Sequence, residues 1–301
     1  MIDAAESGGA AENAAADPPR FGRISAALRA LRRSPAAFMG AAWLLIVALA
    51  CVAAPLFAGY DPDAVDVAHQ YLAPSSAHLL GTDSLGRDEL LRLVLGGRIS
   101  LLVGIVAALV AIAIGSVYGA VAAFYGGAID TLLMRLVDVL LSVPTLFLLL
   151  FLASMFHGSL LSLMLVIGVT SWLGPARLVR GEILTLRERD YVQAARSLGA
   201  GDLRLMFRHL IPNALGTIIT TTTFIVAGAM LAETALSYLT IGVRPPTPSW
   251  GNMLSSAQKD IFAGAFWLIL PPGLAILLTV SALNFVGDWL RERANVSGTT
   301  I

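Results

Sequence analysis

The 301 residues are 57% hydrophobic and 13% charged, with mean hydropathy +0.78 and 20 basic residues balanced by 20 acidic ones. This composition describes a polytopic membrane protein, and a net charge of zero gives no hint of nucleic-acid binding. The single cysteine, Cys51, cannot form an internal disulfide, and the single lysine, Lys259, follows Gln258, so no phosphate-binding Gly-Lys-Ser/Thr loop exists and any ATP hydrolysis belongs to another polypeptide.

Residues 1–34 read as a tail and a juxtamembrane element. The first 20 are rich in Ala, Gly, Glu and Asp and lack the apolar surface to order themselves. Phe21, Ile24, Leu28 and Leu31 then recur at helical spacing opposite Arg23, Arg29, Arg32 and Arg33, which fits a basic amphipathic helix on the lipid surface or a plain anchor. A membrane domain is expected over 35–295, with spans at about 36–57, 100–124, 137–156, 159–173, 214–239 and 266–290, and a short tail at 296–301. The first is expected to be a span and not a signal peptide, because the segment before it is long and acidic. Cys51 lies in that apolar run and is expected to pack.

Between the first two spans, Asp83 and Ser84 set between Gly81 and Gly86 describe a turn, and Asp88 is placed to cap the next helix. Gly104, Gly115, Ser116 and Gly119 in the second span let another helix approach closely, as lipid-embedded bundles require. Tyr125-Gly126-Gly127 turns the chain. Pro144 is expected to kink the third span, with Ser142 or neighbours meeting the freed carbonyl.

The stretch from Leu186 to Asn213 is the one long polar segment set between apolar ones. Asp190 is expected to cap a helix with Gln193 reaching back, and Tyr191, Ala195 and Leu198 to share one face. Gly199 is expected to close that helix in the left-handed conformation. A second helix over Leu203 to Ile211 would bury Leu203, Met206, Phe207 and Leu210, hold Arg204 and Arg208 off that stripe, and stop at Pro212. Patterning alone fits a basic loop on a membrane surface as well as a docking knob.

Asn213 is placed to cap the fifth span, in which Thr217, Thr220, Thr221, Thr222 and Thr223 fit either hydroxyl bonding to the helix backbone or, for Thr217, Thr220, Thr221 and Thr223, a pathway lining. Glu233, ionisable at membrane depth, should face the bundle interior, an external loop or water. The sixth span is expected to break at Pro271-Pro272-Gly273. With the N-terminus inside, fifteen basic residues fall on the inner side and five, Arg87, Arg92, Arg98, Arg244 and Lys259, on the outer, which sets the 186–213 segment in the cytoplasm.

Gln193-Ala194-Ala195, Gly199 and Leu210-Ile211-Pro212 together resemble the EAA signature of ABC importer permeases, a cytoplasmic helix-turn-helix that docks into a groove on the ATPase subunit; Gln193 stands where that family usually has Glu. Gly81-Thr82-Asp83-Ser84-Leu85-Gly86-Arg87-Asp88, followed by Arg98-Ile99-Ser100-Leu101, resembles the external loop of permeases that import dipeptides, oligopeptides, nickel and glutathione. Asp130, Met134, Arg135, Asp138, Ser142 and Pro144, then Trp172, Ala176, Arg177, Arg180 and Gly181, follow in family order. The string from Glu233 to Ser237 leading to Gly242 through Gly251, with Trp250, suggests a gate region or a structural hydrogen bond.

The resemblance covers about residues 35 to 295. It implies an all-α permease of six transmembrane helices with both termini cytoplasmic, in the cytoplasmic membrane of a bacterium. The implied assembly is a heterodimer with a second homologous permease, two P-loop ATPase subunits and an extracytoplasmic substrate-binding protein. Residues 190–212, through Asp190, Tyr191, Gln193, Ala194, Ala195, Gly199, Leu210, Ile211 and Pro212, would couple to the ATPases; Gly81, Thr82, Asp83, Gly86, Arg87, Asp88, Glu233 and Trp250 would form the external loop and gate.

No catalytic residue, cofactor or metal site is expected: there is no HExxH or GxSxG, and His69, His78, His157 and His209 lie in predicted connections. A nickel or glutathione importer, or a self-sufficient secondary transporter, are the alternatives. Many secondary transporters have more spans and an intramembrane charge pair, where this chain offers chiefly Glu233.

Overall fold

A computed structural model describes residues 30–53, 64–156 and 159–297. The expected tail, most of the basic juxtamembrane helix, the end of the first span, His157 and the last four residues lie outside these. The described residues are helical, with no strand and one isolated bridge between Thr82 and Asp88.

Helix α1 is Pro35–Ala53. Helix α2, Glu89–Tyr125, starts at Glu89 and not at Ser100, because Asp88 caps it: its Oδ1 accepts the Leu91 N–H at 2.9 Å. The third span is not a single kinked helix over 137–156. Helices α3 (Gly127–Leu141) and α4 (Thr145–Met155) meet at 84°. Pro144 disfavours helical backbone at Val143, and the Ser142 hydroxyl donates to Val139 O at 2.7 Å, meeting one terminal carbonyl of α3. Helix α5 (Leu160–Ser171) bends by 44° into α6 (Leu173–Leu186), so helix runs on well past 173.

After the polar segment come α9 (Leu215–Tyr238), α10 (Trp250–Asp260) and α11 (Leu270–Ser297). Pro271 and Pro272 do not break the sixth span. They occupy the first turn of α11, where a helix leaves its N–H groups unpaired and a missing one costs nothing. Among the described residues, four helices are long and apolar enough to cross a membrane, and the spans number up to six if each bent pair counts as one.

Helix α2 is the axle: α6, α9 and α5 pack on it, α11 packs on α9, and α1 on α11. Small residues set these distances. A Cβ on Gly119 would stand 2.3 Å from Ala176 O, one on Gly115 2.6 Å from Pro175 Cβ, and one on Gly104 2.7 Å from Met230 Cγ. Close backbone approach replaces the hydrophobic drive that lipid removes. Cys51 is buried in the α1 contact, with Sγ 3.5 Å from Val94 O.

Helix α3 is held differently, burying only Val137. Its attachment is polar: Arg180 of α6 grips Asp130 through two hydrogen bonds of 2.5 Å, Arg177 pairs with Asp138, and the Tyr118 hydroxyl of α2 donates to Leu133 O at 2.9 Å. Since α2 begins at the 64–88 loop and ends where Arg187 donates to Ala123 O at 2.8 Å, that loop and the 186–213 segment sit at opposite ends of the bundle.

Candidate functional site

Helix α7, Asp190–Ser197, opens the polar segment. A capping residue needs extended backbone, and Arg189, at φ −69° and ψ 144°, has it; Asp190 is the first helical residue. The expected capping box is therefore absent. Gln193 Nε2 donates instead to Arg187 O at 3.3 Å, and Asp190 complements the positive helix terminus without capping it. Gly199 has φ +81°, and the Ala200 N–H closes on Ala195 O at 3.1 Å. The inward residue is Val192, with Ala195 and Ala200 half-buried beside Val179, Ile183, Leu205 and Leu210. Tyr191 and Leu198 face out, so the expected Tyr191–Ala195–Leu198 face is split.

Helix α8 is composite: α-helical at Asp202–Arg204, π-helical over Leu205–Leu210, and α-helical again at Ile211–Asn213. The wider π turn rotates the stripe. Leu205, Met206 and Leu210 are buried, while Leu203 and Phe207 are 65% and 54% exposed, against the expectation that both are inward. Nor does Pro212 end the run. The Ile211 N–H reaches back to Met206 O, and this displaced ladder carries the helix through the proline. Asn213 caps nothing; its Nδ2 donates to His209 O at 2.5 Å, and α9 starts after Ala214 without a side-chain cap.

The segment thus presents Tyr191, Leu198, Leu203 and Phe207 outward among Arg189, Arg196, Arg204 and Arg208. Asp190, Gln193, Ala194, Gly199 and Pro212 are exposed as well, Ala195 and Ile211 are half-buried, and Leu210 belongs to the core.

At the opposite end, residues 64–88 form a cap with its own polar core. Asp83 Oδ1 accepts from the N–H groups of Leu85 at 2.9 Å and Arg87 at 3.0 Å, and Oδ2 meets Arg87 at 2.7 Å and Arg92 at 3.7 Å. The Thr82 hydroxyl donates to His69 O at 2.6 Å and accepts the Leu72 N–H at 2.8 Å. Gly81 and Gly86 have φ of +79° and +74°, and a Cβ on Gly86 would fall 1.9 Å from Asp66 O. The cap is clamped to α10 by the Tyr71 hydroxyl, which donates to Asp260 Oδ1 at 3.1 Å. Asp260 Oδ2 is buried without a hydrogen-bond partner, and burial holds this carboxyl above its ordinary range.

Glu233 faces the bundle interior and is fully buried. Its Oε2 accepts from Ser100 at 3.0 Å and its Oε1 from Ser237 at 2.6 Å. Each serine oxygen in turn accepts a backbone N–H of the following segment, Trp250 at 3.2 Å and Val243 at 3.0 Å. One carboxylate thereby ties α2, α9 and the 243–250 stretch together. The Trp250 indole adds a bond to Leu93 O at 2.8 Å, and Ser249 and Asn252 form a capping box at the start of α10.

Sequence reasoning offered a structural hydrogen bond for Glu233 and named Ser100 only within a family string, and it missed both their pairing and the box, although Ser249-Trp250-Gly251-Asn252 carries the spacing of such a box. It missed the Arg180–Asp130 and Arg177–Asp138 pairs too, whose signal was acids and bases recurring on two separate apolar segments.

The threonine hydroxyls bond to the helix backbone: Thr220 to Gly216 O at 2.9 Å, Thr221 to Thr217 O at 2.7 Å and Thr223 to Thr220 O at 2.8 Å. Thr217 donates to Glu182 Oε2 at 3.1 Å. Thr217, Thr220 and Thr221 also line a cavity of about 740 Å³ between α6, α9 and the end of α11, whereas Thr223 packs toward Gly287. Among the described residues no group of three or more His, Cys, Asp or Glu is placed to hold a metal.

Residues 103–295 match the family model of the binding-protein-dependent transport system inner membrane component, and residues 23–74 match that of the N-terminal transmembrane domain of oligopeptide transport permease C. The oligopeptide transport system permease protein OppC of Bacillus subtilis is 36% identical across 88% of this chain and 87% of its own. A Brucella suis protein provisionally named a peptide permease protein is 39% identical across 91% of each chain. A second from the same organism, provisionally named a peptide transport system permease protein, is 41% identical across 88% of each.

Proposed function

The chain belongs to the binding-protein-dependent transport system inner membrane components, multi-pass permeases of ABC transporters, and from that premise we propose that it is the subunit through which a peptide importer passes di- or oligopeptides. The relatives named for peptide transport support the substrate class. The observation that carries the mechanism is the exposed aromatic and arginine surface of α7 and α8, built on a core it shares with α2 and α6.

In this reading both termini and the 190–212 segment are cytoplasmic, as the fifteen-to-five distribution of basic residues favours. Two P-loop ATPases engage that surface, a second homologous permease completes the pathway, and an extracytoplasmic binding protein delivers peptide to the cap at 64–88 and the 240–250 stretch. ATP binding closes the ATPase pair and pulls α7 and α8. Because these pack on α2 and α6, the pull biases the bundle between two arrangements, which is what coupling requires. Glu233 holds the outer segment, and Thr217, Thr220 and Thr221 lie along the path.

The test is affinity purification of the tagged protein from its native membrane in mild detergent, with mass spectrometry of what accompanies it, followed by reconstitution in liposomes. Recovery of P-loop ATPases and a second permease, with ATP-dependent peptide uptake, is the expected result. A captured binding protein specific for nickel or glutathione would move the substrate to those classes. Concentrative uptake persisting after the ATPases are deleted would make the chain a secondary transporter.

A further inference from the structure

The cavity between α6, α9 and the end of α11 differs from the other small-residue faces of the bundle. At Gly104, Gly115 and Gly119 an added Cβ would collide with a neighbouring helix, so those glycines serve packing. At Gly174, Gly181 and Gly228, which line this cavity, an added Cβ meets nothing within 4 Å. Their effect is to keep space open. The resulting volume of about 740 Å³ lies within the range of small-molecule sites, roughly 300–1,000 Å³.

The lining is more apolar than polar, and it carries charge on two walls. Glu182 of α6 bonds only to the Thr217 hydroxyl and has no cation partner among the described residues. Arg291, near the end of α11, lines the same cavity and makes no ion pair among the described residues, whereas Arg177 is neutralised by Asp138. An acid and a base without ion-pair partners among the described residues stand on two different walls, Glu182 half-buried and Arg291 exposed, with threonines between. They suit a ligand carrying both charges.

We infer that this cavity is a transit site for a short peptide, with Glu182 receiving the terminal ammonium and Arg291 the terminal carboxylate. The inference rests on the peptide-import reading and goes beyond it by naming a site inside the permease that reads the two charged ends, separately from any selection by the binding protein.

The experiment uses the full transporter, with its partner permease, ATPases and binding protein, in liposomes. Gly181→Leu and Gly228→Leu add bulk at two lining positions where a Cβ meets nothing within 4 Å, and Glu182→Gln keeps an acceptor for Thr217 while removing the charge. Expected are normal co-purification with the partner permease, retained ATPase stimulation by the loaded binding protein, and tripeptide uptake lowered about tenfold or more by each leucine. Glu182→Gln and Arg291→Gln should each lower uptake about tenfold, as for one charge-assisted hydrogen bond, with binding-protein affinity unchanged. A photoreactive residue replacing Phe224 should capture labelled tripeptide during turnover.

Leucine variants that assemble and import at the wild-type rate would overturn the site. Loss of the partner permease from the purified complex would assign the cavity to a helix of that subunit. A wild-type complex that imports no peptide would remove the functional reading itself, a result visible in the control alone.

Discussion

Ser100 and Glu233, 133 positions apart in the chain, are hydrogen-bonded at 3.0 Å in the buried junction of α2 and α9. With Ser237 the bond forms a pair of relays in which each hydroxyl donates to the carboxylate and accepts a backbone N–H from the 243–250 segment.

Glu233→Leu orphans both hydroxyls in a dry site, at about 1–3 kcal/mol for each group left unpaired. Glu233→Gln keeps one carbonyl oxygen and should lie between wild type and Leu. Thermal unfolding in detergent should rank the three proteins in that order, and amide exchange at 243–250 should rise in Glu233→Leu before any change in α6. Equal melting of Leu and wild type would show that the relays hold nothing.

The α3–α6 contact yields a second prediction. Since α3 buries only Val137, the bidentate Arg180–Asp130 pair is its main tether at that end. Arg180→Ala should cost about 1.5–3 kcal/mol, in keeping with hydrogen bonds between charged partners, and Arg180→Lys should recover only part because an ammonium cannot reproduce the fork. Stability of the double variant Arg180→Asp, Asp130→Arg should exceed that of either single exchange. If the double variant is no better than the worse single, the pair is not the tether.

Some of this architecture is legible in the amino-acid sequence alone. Hydropathy marks the spans, and the helix cap at Asp88, the turn at Asp83 and the left-handed Gly199 each follow from chemistry local to a few residues. What local chemistry misses is whatever depends on the neighbourhood. Phe207 and Leu203 fit an α-helical stripe, but a π turn from Leu205 to Leu210 re-aims them, and propensity does not announce it. Pro212 and Pro271 read as stops because a proline's effect depends on whether its missing N–H has an acceptor to lose, which is a property of the turn and not of the residue. The Glu233 relay brings together Ser100 and Trp250 from opposite thirds of the chain, a pairing no local pattern encodes.

Asp260 gives a pH prediction. Burial raises its folded-state value above the ordinary 3.8, against the lowering effect of the Tyr71 hydrogen bond, with Asp83 adding to the rise and Lys259 and Arg87 opposing it. In the range just above 3.8 the unfolded chain has released this proton while the folded one keeps it. The Asp260 contribution therefore favours folding at low pH, falls as pH climbs toward the raised value and is level above it. Asp260→Asn keeps an acceptor for Tyr71 and cannot ionise, so the variant should gain on wild type as pH rises and hold that gain at neutrality. Melting curves of both proteins from about pH 4 to about pH 7 give the difference directly, and a difference independent of pH would remove Asp260 from the account.

Gly199 carries the prediction that separates surface from scaffold. Its φ of +81° costs a side-chain residue about 1–2 kcal/mol, yet a Cβ there meets no atom of this chain within 4 Å. Gly199→Ala and Gly199→Asp therefore create no internal clash, the aspartate straining this turn no more than the alanine, and both should insert in the membrane at wild-type levels. They differ chiefly in what they project outward from the segment that exposes Tyr191, Leu198 and Phe207. If that face docks an ATPase, Gly199→Ala should keep most peptide uptake, and Gly199→Asp should lose both uptake and the co-purified ATPase. Equal loss in the two variants would trace the defect to the turn, and equal retention would leave this surface without a partner at Gly199.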